Sequence, residues 1–202
     1  MLLKGFLVDY QDAAYASTYL SFVEKVRAAE SGLKSTRLTE NVARYLFKLM
    51  AYKDEYEVAR LHTDPKFVAK IAAQFEGDYK LVHHLAPPLV SKTNAQGEAQ
   101  KRQFGTWIRP VFAMLAKLKG LRGGTFDVFG YSQERRTERA LIGEYRASIE
   151  ALLAKGLTPE RLNLAVDIAR IPEDIRGYGH VKERHLLAAR AKWDGLMAQW
   201  QV

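Results

Sequence analysis

The chain has 202 residues, 48% of them apolar and 27% charged, a balance that lets one sizeable core form without pushing the chain toward disorder or membrane. It contains no cysteine, so disulfides, thiolate zinc sites and the usual thiolate-held iron–sulfur clusters are chemically excluded. Its 31 Lys and Arg against 23 Asp and Glu give a formal charge of +8, which favours polyanions in general without choosing among nucleic acid, acidic proteins, phosphate-bearing cofactors and anionic membranes.

No stretch approaches the roughly 18 apolar residues a spanning helix needs, and Asp9 makes the start acidic too early for a signal peptide. We read the chain as soluble and cytoplasmic. Ala13, Ala16, Tyr19, Leu20, Val23 and Val26 recur at helical spacing, which predicts a helix from about Tyr10 to Ala29 with Gly32 as C-cap. Thr39 reads as an N-cap with Glu40 in the first turn, and the broad apolar face from Val42 to Leu61 predicts one central buried helix. Thr63-Asp64-Pro65 starts a short helix whose apolar face is Phe67, Val68, Ile71, Ala72 and Phe75, before Gly77.

Tyr79 to Leu85 is rich in β-compatible residues, Pro87-Pro88 blocks helix, and Thr93 to Gly97 is turn chemistry ahead of a second short segment toward Phe104. The expectation is a two-stranded hairpin. Pro110 then opens a helix carrying Val111, Phe112, Leu115 and Leu118 inward, with Gly120 as C-cap. The glycines from Leu121 to Tyr131 predict an ordered loop, and Ser132 caps a helix running to Lys155. Gly156-Leu157-Thr158-Pro159 makes a tight turn into a helix that ends before Pro172, and a last helix occupies about Val181 to Trp200. The fold class is therefore mainly α, a compact multi-helix domain with a short β-hairpin insertion, read as a single domain over residues 1–202.

From Ala99 to Phe126 there is no acidic residue, while Lys101, Arg102, Arg109, Lys117, Lys119 and Arg122 fall there with Phe104, Trp107 and Phe112. Exposed aromatics beside these cations would suit stacking on bases or on an adenine ring; the plainer reading makes the aromatics core and the cations a solvated face. Gly177-Tyr178-Gly179 before a helix has two glycines of a phosphate cradle but neither a preceding strand nor a third glycine, so glycines serving a turn is the simpler account. His180 and His185 are five apart, and His83 and His84 point to opposite sides of a strand, which argues against a metal site; His180 is better read as a loop anchor than as a general base. Asp54 and Glu55 are consecutive and diverge on a helix, so they read as a solvated or salt-bridged edge rather than an acid/base pair.

Several long strings resemble a known family in order along nearly the whole chain: YQDAAYA at 10–16, FKLMAYKDEYEVARL at 47–61, QFEGD at 74–78, HLAPPL at 84–89, LKGLRG at 118–123, FGY at 129–131 with ERR at 134–136, and PEDIRGYGHVKE at 172–183. Together they resemble the C-terminal domain of fused-chain indolepyruvate ferredoxin oxidoreductases. The resemblance implies a parent enzyme that oxidatively decarboxylates aryl 2-oxoacids to acyl-CoA with thiamine diphosphate, magnesium, iron–sulfur clusters and ferredoxin. The family's thiamine-binding and cluster-binding motifs have no counterpart here, so no catalytic residue carries over and no cofactor is expected in this chain. The expected role is an accessory one: packing on the catalytic domains of the parent, shaping a subunit interface, or presenting cationic surface to CoA or acidic ferredoxin. Lys101, Arg102, Trp107, Arg109, Lys119, Arg122, Arg176, Tyr178, His180 and Lys182 are the candidate interface or anion-binding residues, with no catalytic and no metal residues among them. The alternative is a free-standing basic module binding nucleic acid or another polyanion, with no membrane partner.

Overall fold

The computed structural model describes residues 2–85 and 100–202, and within them the chain is mainly helical with one two-stranded antiparallel sheet. Two compact units emerge, one from the segments up to Tyr52 and from Arg136 to Val202, the other from Lys53 to Arg135. Each has its own apolar cluster. No helix of the described residues is long and apolar enough to cross a membrane.

The first unit is built from α1 (Leu2–Tyr10), α2 (Ala13–Glu30), α3 (Arg37–Met50) and, after the second unit, the helices α7 (Gln133–Lys155), α8 (Leu162–Ala169) and α9 (Gly179–Gln201). The single helix expected from Tyr10 is preceded by another. Asp12 separates α1 from α2, its carboxylate accepting the Tyr15 amide as an N-cap. Gly32 is not the C-cap: a 3-10 turn over Ser31–Leu33 extends α2, and the left-handed residue is Lys34, φ 50°. Thr39 does not cap α3 either. Glu30, fully buried at the end of α2, accepts the Leu38 amide at 2.9 Å, the Thr39 amide at 2.8 Å and the Thr39 hydroxyl at 2.7 Å. A glutamate from the preceding helix thus satisfies the orphan donors at the start of α3.

Helix α7 buries Leu141, Tyr145, Ile149 and Leu152, with Ile142 and Leu153 partly buried, in one cluster with Leu38, Val42 and Leu46 of α3, Ala165 and Ile168 of α8, and Trp193 and Trp200 of α9. Gly156, φ 88°, makes the turn after α7. Tyrosine hydroxyls close the helix ends that apolar packing leaves open. Tyr15 donates to the Met50 carbonyl at 2.9 Å, Tyr10 to that of Tyr52 at 2.9 Å, and Tyr145 to that of Ala169 at 2.9 Å.

The long helix expected up to Leu61 breaks after Met50, and α4 (Glu55–Thr63) starts afresh behind Asp54, which accepts the Glu57 amide at 2.8 Å. This opens the second unit. Asp64 ends α4 and caps α5 (Pro65–Ala72), with Pro65 in its first turn as expected. No residue of α5 is fully buried, and Phe67 and Phe75 stand exposed. The hairpin is present: β1 (His83–Leu85) pairs antiparallel with β2 (Arg102–Phe104), His83 opposite Phe104. The turn expected at Thr93 to Gly97, with Pro87-Pro88, lies outside the described residues. Helix α6 (Ile108–Lys117) packs on α4 through Ile108 and Phe112, and a 3-10 turn over Leu118–Leu121 takes the place of the expected Gly120 cap. Val111 and Leu118, expected inward, are exposed.

Glu30 is the fold's most testable cap. Replacing Glu30 with Ala removes a charged acceptor from three buried or half-buried donors and should cost about 2–3 kcal/mol in urea unfolding, whereas Thr36→Ala, at a cap position that makes no capping bond, should cost under about 0.5 kcal/mol.

Candidate functional site

The second unit holds a buried polar network at its centre. Arg122, 6% exposed, donates through Nε and Nη2 to both oxygens of Asp54, the Nη2 contact at 2.9 Å, and its guanidinium lies 5.6 Å from the Tyr56 ring centre. Asp54 is thus neutralised as well as capping α4. Asp127 accepts the Gly123 amide at 2.8 Å, the Gly130 amide at 3.0 Å and the Tyr56 hydroxyl at 3.2 Å, which wraps the loop of residues 121–131 around one carboxylate. Gly123, φ 75°, supplies the left-handed residue that wrap needs. Burial first, and then the Asp127 charge, push the Tyr56 phenol far above its ordinary value. Glu55 faces Arg135 at 3.6 Å; burial raises its carboxyl and Arg135 opposes the rise. With every oxygen of Asp54 and Asp127 occupied, these carboxylates organise structure and are not poised as general bases.

The unit also holds an aromatic niche that brings together residues far apart in sequence. The His62 ring stacks on Phe112 with centres 5.3 Å apart and meets His83 edge-on at 4.9 Å, while His83 meets Phe112 at 5.3 Å. Among the described residues, His62 Nδ1 and His83 Nε2 are buried without a hydrogen-bond partner. Burial lowers both imidazoles below their ordinary value, helped by each other's proximity at His62 and by Arg109 at His83. His84 faces outward, as the strand reading required. No local sequence signal marks the His62–His83 pair, because the two histidines belong to separate elements, α4 and β1, and meet only through packing on Phe112. Among the described residues no group of three or more His, Cys, Asp and Glu could hold a metal ion.

The sequence candidates fall into three settings. Lys101, Arg102, Trp107 and Arg109 are exposed on the hairpin and the start of α6, with Phe104 half-buried and its ring 5.7 Å from that of Trp107. Phe112 is core, so it offers no stacking face. Lys119 is half-buried in the 3-10 turn, and Arg122 is internal, its charge matched by Asp54. In the first unit, Arg176, Tyr178 and His180 are exposed around the turn into α9, but Arg176 lies 3.7 Å from Glu173 and Lys182 pairs with Glu138. The adjacent groove is lined by Asp167, Arg170, Glu173, Asp174, Arg176 and Lys192, three acids and three bases, and so carries no net preference for an anion. Gly177 is strictly steric: at φ 89° a Cβ would lie 2.8 Å from Val181 Cγ1.

A family model described as a family of unknown function, DUF6537, matches residues 4–195. The chain belongs to that family. Neither the curated proteins nor the solved structures give a match. Membership in the DUF6537 family spans both units, so the hairpin, α6 and the loop around Asp127 all lie inside the family's matched region.

Two measurements probe the interior. Arg122→Met strands the buried Asp54 charge and should cost about 3–5 kcal/mol in chemical unfolding, while Lys25→Met, whose pair with Glu150 is about half exposed, should cost under about 1 kcal/mol. For the histidines, depressed folded values mean that the unfolded chain binds protons first, so stability is full above their ordinary value of 6.5 and falls as pH drops from there toward the lower folded values. Melting followed from pH 8 to pH 5 should show this decline, and His62→Phe should flatten it.

Proposed function

We propose that this chain is a non-catalytic accessory domain that forms an interface within a ferredoxin-dependent aryl 2-oxoacid oxidoreductase of the indolepyruvate type. The observation that carries this reading is the ordered series of long strings, from YQDAAYA at 10–16 to PEDIRGYGHVKE at 172–183, that resembles the C-terminal domain of those enzymes. Thiamine diphosphate, magnesium and iron–sulfur clusters would belong to the parent's catalytic domains, with CoA as co-substrate and the cytoplasm as the setting. The geometry lends support of its own kind. The buried Asp54 and Asp127 carboxylates of the second unit are saturated by hydrogen bonds, while exposed apolar and basic side chains line its hairpin and α6, the character of a contact surface rather than a reaction centre.

The alternative of a polyanion-binding module draws on the same acid-free segment. Of Phe104, Trp107 and Phe112, however, Trp107 alone is exposed, and one stacking face is little for single-stranded nucleic acid. The test uses a full-length oxidoreductase that carries this domain. The isolated chain should show no turnover, and deleting the domain should impair assembly, raise KM for CoA several-fold or slow ferredoxin reduction. A deletion that leaves all three unchanged overturns the reading. Salt-dependent retention of single-stranded RNA, lost when Lys101, Arg102 and Arg109 are substituted, would favour the alternative.

A further inference from the structure

Helix α6 has two apolar faces, and the fold uses one. Ile108 and Phe112 are 8% and 5% exposed and form the unit's cluster with Ala59 of α4. Trp107, Val111, Met114 and Leu118 are 63%, 37%, 57% and 38% exposed. At 3.6 residues per turn these four lie within about 60° of one another, a single stripe about 16 Å long. Their spacing of four, three and four is that of helix-in-groove anchors. A stripe of Trp, Met, Val and Leu facing water, when the same helix already supplies its core residues elsewhere, is surplus to folding.

Charge identifies the occupant. No acidic residue occurs between Ala99 and Phe126; Lys117, on α6 itself, is exposed beside the stripe, and Lys101 and Arg102 are exposed on the hairpin, whose Phe104 ring lies 5.7 Å from that of Trp107. A second copy of the chain would set these cations against their own kind at a net charge of +8 per chain. A bilayer is a poor match, since the next arc of α6 is committed to the core, leaving a narrow ridge in place of the broad apolar face that interfacial helices insert. The geometry points to a docking site for a partner protein's amphipathic helix, its apolar stripe rimmed by Asp and Glu, laid along Trp107, Val111, Met114 and Leu118. The inference stands on this face alone and does not rest on the oxidoreductase reading.

Trp193 and Trp200 are 6% and 1% exposed, so a shift in tryptophan emission reports on Trp107. The probe is a synthetic helical peptide with Leu along one face and Glu elsewhere, titrated into the full chain beside a version with Lys in place of Glu, a single-stranded oligonucleotide and phosphatidylglycerol vesicles. The acidic peptide should bind at least tenfold more tightly than the basic one, weaken with added salt, and shift the emission to the blue. Trp107→Phe should remove the shift while anisotropy of a labelled peptide still reports binding, and Met114→Glu should weaken binding at least tenfold with the helical circular dichroism unchanged. Equal affinity for the two peptides, no saturable binding of the acidic peptide, a shift produced by vesicles or oligonucleotide but not by peptide, or binding indifferent to Met114→Glu would each overturn the proposal.

Discussion

With Asp54 and Arg122 each almost wholly removed from water, neither charge is tolerable without the other. Desolvating an ion costs several kcal/mol even after relaxation, and the mutual attraction recovers that only when the remaining lone pairs and protons are also satisfied. Here they are: Asp54 takes two guanidinium hydrogens and the Glu57 amide, and the guanidinium lies near the face of Tyr56. One carboxylate therefore ends the chain's run from α3, starts α4 and fixes where the segment after α6 must pass. Asp127 then gathers the following loop by its amides. The presentation of α6 follows from these anchors, because α6 is held at its inner face by α4 and at its C-terminal end by the turn that leads into Arg122.

The first unit solves the same problem, helix ends without partners, in a less charged way. Buried or half-buried tyrosines reach from one helix to carbonyls at or just past the end of another, combining a large apolar ring with one donor. Lys48 does the equivalent for the turn before α9, donating to the carbonyls of Pro172 and Ile175, and burial lowers its ammonium below the ordinary value with Arg176 and Lys182 adding to the effect. Glu30 does it with charge: burial alone would raise its carboxyl, but the hydrogen bonds from Thr39 and Leu38 win, and the group sits below its ordinary value. These long-range caps pin the order in which helices pack, and each depends on a residue that local pattern assigns to an amphipathic face.

That dependence explains what the sequence could and could not disclose. Helices α7, α8 and α9, the hairpin and the loop from Leu121 to Tyr131 were legible because their punctuation is local: Ser132, Gly156, Pro172 and the glycines near Gly123 act within a few residues. The break at Asp54 also had a local signal, an Asp followed three residues on by Glu57, but a continuous apolar periodicity through Tyr52 and Tyr56 outweighed it. The capping role of Glu30 had no local signal at all, since its donors lie eight and nine residues on, past a turn. The site was less legible for the same reason. Arg122 reads as one more cation in an acid-free stretch until the fold carries Asp54 to it across 68 residues, and His62 meets His83 only through packing against Phe112.

Helix α6 shows most plainly how an apolar pattern can be real and yet not be buried whole. Val111, Phe112, Leu115 and Leu118 do form an apolar surface, but Val111 and Phe112 are adjacent and point about 100° apart, so no single neighbour can cover both. Among the described residues, the unit's other elements are a nine-residue helix, an eight-residue helix, two three-residue strands and a 3-10 turn, too few to cover a broad helix circumference. α4 covers the arc with Phe112, and the arc with Val111 is left to solvent. The cations around it then acquire a second consequence: they keep an apolar ridge soluble by mutual repulsion between copies, and the same repulsion becomes attraction once the approaching surface is acidic.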